Sequence, residues 1–178
     1  MKKAILDASS AILLCKLDLL NELTYVYHVF VTSSVLQELT RKNHQGADLF
    51  QHFASLNKIR IIDVENDLLK CKASGDSLYS LDKGELDTIK CFGAGDHDFI
   101  IIDDGRAARY CKKNGLPFIN GLLFPRLLYF AGLISRQESN NKIDAIICNG
   151  RYSIGVIEWV RNCQKESLAF AMPGVVAE

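Results

Sequence analysis

Several things are scarce in this chain of 178 residues, and each absence narrows the field. Only three prolines occur and no low-complexity run, so extended disorder is not expected. The longest apolar stretches, such as Phe99 to Ile102 and Ala11 to Leu14, are too short to cross a bilayer. Met1-Lys2-Lys3 is followed by a few apolar residues and then Asp7, which is not a secretory leader, so no membrane role and a cytoplasmic location are expected. Six cysteines are present (Cys15, Cys71, Cys91, Cys111, Cys148, Cys163), but none is paired in the C-x-x-C spacing of a zinc or redox site. They read as small, largely apolar residues in a reducing compartment. Neither sign of charge is in excess, with 21 basic against 21 acidic residues, so contact with nucleic acid must be local rather than spread over a basic face. No G-x-G-x-x-G or G-x-x-x-x-G-K-[ST] loop is found, which weakens a nucleotide-binding or phospho-receiver reading.

What is present is an ordinary globular composition, 48% hydrophobic and 24% charged, in a chain long enough to bury a core. Four brief runs rich in Ile, Val and Phe lack polar alternation, as buried parallel strands do: Ala4-Ile5-Leu6, Val29-Phe30-Val31, Ile59 to Ile62 and Phe99 to Ile102. Pro117-Phe118-Ile119 is a weaker fifth. Helical segments separate them. Ser33-Ser34 is placed to cap a helix bearing Val35, Leu36 and Leu39; Asp82 opens another with Leu86 and Ile89; Arg106 to Asn114 ends at Gly115. Strand and helix in alternation predict an α/β fold, a parallel sheet covered on both faces. After Gly121 only helices are expected, over Leu122 to Ala131, Lys142 to Cys148 and Ile154 to Cys163. The division expected is therefore a domain over 1–134 and a helical extension over 135–178, packed on the same body.

In a parallel sheet, ligands gather at the carboxyl ends of strands. Asp7 directly follows the first run, and Asp103-Asp104 directly follows the run ending at Ile102. Glu38 borders the apolar face of the helix after the second strand, and Glu85 and Asp87 lie in the first turns of the helix opened by Asp82. Each has an ordinary explanation when taken singly: Asp7 and Asp103-Asp104 as caps, Glu85 in a capping box with Asp82, Asp87 on the helix dipole. If the acids converge, two carboxylates about 4 Å apart repel by roughly 4 kcal/mol at an effective dielectric of 20, so a cation is needed. Oxygen ligands suit Mg²⁺ or Mn²⁺, which suits metal-assisted phosphodiester cleavage. Ser9 can add a hydroxyl, and Arg106 and Arg109, three apart on one helix face, can meet phosphates. Asp96 and Asp98 precede the fourth strand and read as turn residues at the opposite end. The histidines (His28, His44, His52, His97) share no spacing that suggests ligation. Ile157, Trp159 and Val160 read as core or interface residues.

Four blocks in order, Asp7-Ala8-Ser9-Ser10, Val35-Leu36-Gln37-Glu38-Leu39, Gly84-Glu85-Leu86-Asp87-Thr88-Ile89 and Ile102-Asp103-Asp104-Gly105-Arg106, strongly resemble the PIN-domain family. The nearer likeness is to its prokaryotic, toxin-like branch, and it continues through Ile119-Asn120-Gly121, Ala131-Gly132-Leu133-Ile134, Lys142-Ile143-Asp144-Ala145 and Gly150-Arg151-Tyr152-Ser153-Ile154. The resemblance implies a three-layer α/β/α fold with a short central parallel sheet, and hydrolysis of RNA by a carboxylate-held Mg²⁺ or Mn²⁺. It implies Asp7, Glu38, Glu85 and Asp104 as the metal-holding quartet, with Asp103 and Asp87 assisting or substituting. Glu85 and Asp87 project about 200° apart on a helix, so one ion is not expected to meet both. An antitoxin partner and a homodimer are further implications. The chain departs from the family pattern at Lys90-Cys91-Phe92, and at Phe124-Pro125-Arg126, which is expected to interrupt an apolar helix. The rival to an enzyme is a PIN-shaped scaffold that binds RNA or protein without cutting.

Overall fold

The apolar runs without alternation are the strands, and the central ones are buried on both sides, whereas Arg60 and Ile61 of the edge strand are exposed. In the computed structural model, which describes residues 1–41, 46–64 and 81–174, the runs form β1 (Lys2–Leu6), β2 (Tyr27–Thr32), β3 (Ile59–Ile62), β4 (Phe99–Ile101) and β5 (Phe118–Ile119). All pair in parallel, in the order β3-β2-β1-β4-β5. His44 and Cys71 lie outside the described residues.

Successive side chains of one strand feed opposite faces. Ala4, Leu6, Val29, Val31, Phe99 and Ile101 belong to one apolar cluster, whereas Ile5, Ile100 and Ile102 belong to the other. The first face is covered by α1 (Ala8–Lys16), α2 (Leu20–Val26), α3 (Ser33–Leu39), α4 (Ala47–Ser55), α7 (Phe124–Phe130), α8 (Arg136–Asn149) and α9 (Ile154–Asn162). The second is covered by α5 (Lys83–Ala94) and α6 (Gly105–Lys113), through Ile89, Cys91, Ala107, Tyr110 and Cys111. The result is a three-layer α/β/α fold, the PIN-type arrangement expected. The strand order grows outward from β1 to β3 and then returns to β4 on the other side of β1. The carboxyl ends of β1 and β4 thus flank the point where the order reverses, the usual ligand position in such sheets.

Some local expectations need correction. Thr32, not the Ser33-Ser34 pair, caps α3; its hydroxyl accepts from the Val35 N–H at 3.2 Å. The stretch from Leu122 begins as a 3-10 turn (Gly121–Leu123), and α7 starts at Phe124. Pro125 falls in the first turn, where its missing N–H has no partner to lose, so Phe124-Pro125-Arg126 starts the helix instead of interrupting it. Helix α8 begins at Arg136, ahead of the expected Lys142, because Ser135 and Glu138 form a capping box. Helices α1, α2 and α4 were not anticipated. Trp159 is 48% exposed, while Val160 beside it is buried, and Cys148 is exposed rather than apolar core.

The late helices supply Ile143, Ile146, Val160, Leu168 and Ala171 to the first cluster. The Tyr27 hydroxyl donates to the Ala171 carbonyl at 2.6 Å, and Lys2 Nζ donates to the carbonyls of Ala169 at 2.9 Å and Phe170 at 2.5 Å. Among the described residues, no helix is long and apolar enough to cross a membrane.

Candidate active site

The first acid pair forms where β1 and β4 end together. Asp7 follows β1, its N–H held by the Ile101 carbonyl at 3.1 Å, and it caps α1 by accepting the Ser10 N–H at 2.9 Å. The Ser9 hydroxyl donates to its other oxygen at 2.6 Å. Asp7 is 2% exposed. Burial, then the charge of Asp103, pushes its carboxyl up to about 7, against the opposing effect of its serine donors. Asp103 accepts the Gly121 N–H at 3.2 and 3.1 Å on its two oxygens, and the Tyr152 hydroxyl at 2.5 Å. Burial raises its carboxyl too, the donors only partly offsetting it. The Ser10 hydroxyl faces both acids, buried and without a hydrogen bond of ordinary geometry.

The second pair joins the first turns of α5 and α6. Asp104 caps α6, accepting the N–H groups of Arg106 at 2.7 Å and Ala107 at 3.1 Å. Glu85 is the third helical residue of α5 and forms a capping box with Asp82, whose N–H it accepts at 3.2 Å. Burial, then the charges of Asp82 and Asp104, raises Glu85 to about 7. Burial would raise Asp104 as well, but the Ala107 and Arg106 N–H groups, the Arg106 charge and a hydrogen bond from Glu85 outweigh it and hold it below the ordinary range. Of the two carboxyls, Glu85 therefore holds a proton the more readily and Asp104 the charge.

The remaining residues stand around these pairs. Glu38 on α3 is half-buried, with Oε2 3.4 Å from where a Cβ on Gly84 would sit, directly before Glu85. It borders a hollow of about 290 Å³ lined also by Arg41, Asp82 and Lys83. Asp87 is two residues beyond Glu85 on α5, about 200° around the helix; it is 5% exposed and its Oδ2 has no hydrogen-bond partner. Ser9, Arg106 and Arg109 are exposed at the rim, and Arg106 Nε lies 3.7 Å from Asp104 Oδ1. Asp96 and Asp98 are at the amino ends of β1 and β4, on Lys3 Nζ at 2.6 Å and the Lys3 N–H at 2.7 Å. Among the described residues no three His, Cys, Asp or Glu side chains gather tightly enough to hold an ion, so the acids stand as two pairs with Glu38 beside the second. Sequence reasoning gave no role to Ser10, Gly121 or Tyr152; only the fold brings residues 103, 121 and 152 together.

A family model described as DUF3368, PIN domain, matches residues 3–156, a span that holds both acid pairs, Glu38 and Tyr152. The chain belongs to the PIN-domain family. No curated protein and no solved structure matches it. PIN domains are generally nucleases and usually use divalent cations, so this PIN domain carries a nuclease-like fold suited to nucleic acid. The residues present fit such a cation chemically. The donors are all oxygen, and two carboxyls are held near 7 by burial beside like charge.

Proposed function

We propose that this PIN domain is an endoribonuclease that hydrolyses RNA phosphodiesters with Mg²⁺ or Mn²⁺ held by Asp7, Glu85 and Asp104, assisted by Glu38, Asp103 and Asp87. The observation that carries the reading is the placement of Asp7, Asp103 and Asp104 at the ends of the neighbouring strands β1 and β4, with Glu85 of α5 beside Asp104, and with one member of each pair raised to about 7. Such groups can take up or release a proton near neutral pH, as cleavage by water requires. A bound divalent cation supplies a Lewis acid that offsets charge on the phosphodiester and makes water a better nucleophile. The chain's own groups do the rest. Of Asp7 and Glu85, one takes the proton lost by the attacking water and the other gives a proton to the leaving 3′ oxygen; Ser9 orients Asp7 through its hydroxyl, and Arg106 and Arg109 hold neighbouring phosphates. Water attacks phosphorus in line, the bond to the 3′ oxygen breaks, and the products are a 5′-phosphate and a 3′-hydroxyl.

The order of acid blocks, similar to that of toxin-like PIN proteins, supports a finer reading. The enzyme acts in the cytoplasm as a toxin restrained by a small antitoxin, and pairs with a second copy through its helices. A second reading, a silent RNA- or protein-binding module, is favoured by one observation: no three ligands gather among the described residues.

Cleavage of single-stranded RNA in Mn²⁺ separates the two. The nuclease reading expects cutting that an Asp7→Asn, Asp104→Asn double variant lowers at least 100-fold while binding RNA as before. RNA left intact by the wild-type protein, yet bound, establishes the silent module instead.

A further inference from the structure

We infer that Tyr152 is a positioning residue for the first acid pair, an inference that rests on the metal-dependent nuclease reading. The tyrosine lies in the link between α8 and α9, far from the acids in sequence, yet its hydroxyl donates to Asp103 Oδ1 at 2.5 Å. Its half-buried ring packs so closely over Gly150 that a Cβ there would collide with ring carbons Cε2 and Cδ2. From another direction the Gly121 N–H reaches both Asp103 oxygens, and a Cβ on Gly121 would come within 2.9 Å of Oδ2. Two glycines thus let a ring and a stretch of backbone close on one carboxylate.

A carboxylate with a single donor can turn about its last bond; one gripped by a backbone N–H and a phenol presents one orientation. Asp103 is the acid whose charge acts on Asp7, so the hydroxyl of Tyr152 determines which way that charge faces. The second pair, Glu85 and Asp104, has its own donors and does not depend on it. Removing the hydroxyl alone leaves the ring on Gly150 and leaves Asp103 to the Gly121 N–H and the Ser10 hydroxyl, a looser hold on Oδ1. Outer contacts of this kind typically change metal affinity or activity 10- to 100-fold.

The test is a double-variant cycle with Tyr152→Phe and Asp103→Ala, with Asp103→Asn as the second background should the alanine variant not fold. Titration calorimetry reads the affinity for Mn²⁺ alone, and steady-state cleavage of a short single-stranded RNA reads kcat and KM. The expected result is that Tyr152→Phe weakens Mn²⁺ binding about tenfold, lowers kcat about tenfold with KM within twofold, and changes neither further once Asp103 is gone. Affinity and kcat both within twofold of wild type in Tyr152→Phe overturn the inference, as do losses that multiply in the double variant. A wild-type protein that binds Mn²⁺ but leaves RNA intact sinks the nuclease reading alone, because the Mn²⁺ cycle still reads Tyr152. A wild-type protein that binds no Mn²⁺ overturns both.

Discussion

Asp7 does two jobs that pull in opposite directions. As the cap of α1 it serves the fold, and as a buried acid beside Asp103 it burdens it. The carboxyl stands at about 7 instead of 3.8, so the folded state holds its proton more tightly than the unfolded state does. Linkage then requires the contribution of Asp7 to stability to be fully present below about pH 4, to fall as pH rises, and to level off above about pH 7. Three pKa units correspond to about 4 kcal/mol, which sets the scale of the loss. Asn caps a helix as well as Asp and has no proton to release, so Asp7→Asn removes this slope. Metal-free melting curves of both proteins between pH 4 and 8 check it: the difference between them should grow through that window in favour of Asn. A constant difference contradicts the raised carboxyl. Saturating Mn²⁺ should act the other way, raising the wild-type melting temperature more at pH 8 than at pH 6, because ligands bind metal without their protons; thermal shift at the two pH values reads it.

At the scale of elements, caps decide where helices begin, and here the sequence was only partly readable. Asp82 was legible as the start of α5, because Glu85 three residues on completes a capping box. Thr32 was not, since it also ends β2 and two serines follow it. Thr32→Ala should cost about 1 kcal/mol in chemical denaturation, while Ser33→Ala costs much less; equal losses would return the cap to the serines. The central strands were legible because burial on both faces leaves no polar alternation to obscure them, and the edge strand because its run of isoleucines persists although Arg60 and Ile61 are exposed. Helices α1 and α2 were obscured by their polar positions, Ser9 and Ser10 in one, Asn21 and Glu22 in the other. The acids of the site could be seen singly, each at an element boundary, but their pairing could not. Glu85 meets Asp104 only because α5 and α6 cover the same face of the sheet, and the grip on Asp103 comes from residues with no local signal pointing to it.

At the scale of the whole molecule, balanced charge limits how RNA can be held. The chain has 21 basic and 21 acidic residues, and among the described residues Arg106 and Arg109 at the rim, with Arg41 and Lys83 around the hollow near Glu38, are the cations placed to meet RNA. Two to four phosphate contacts on a single strand give a log–log salt slope of about −1.4 to −2.8. RNA binding measured from 50 to 300 mM salt should fall in that range, and a slope beyond −5 would demand a basic face that the charge balance does not provide. Stability is also distributed across the whole chain. Tyr27→Phe leaves the buried Ala171 carbonyl without its donor and should cost about 1–2 kcal/mol, seen as a melting temperature lower by several degrees. An unchanged melting temperature would mean that the late segment does not seal the core.

Lys2 and Tyr27 on one hand, and Ala169 to Ala171 on the other, are joined although 167 and 144 residues separate the bonded pairs. Asp7, Glu38, Glu85 and Asp104 therefore all precede in the chain the residues that tie down the amino ends of β1 and β2, the ends of those strands away from the acids. Contacts so distant form late and slowly, since the intervening loop must be ordered first. The seal on the first two strands is thus expected to be among the last parts of the fold to form.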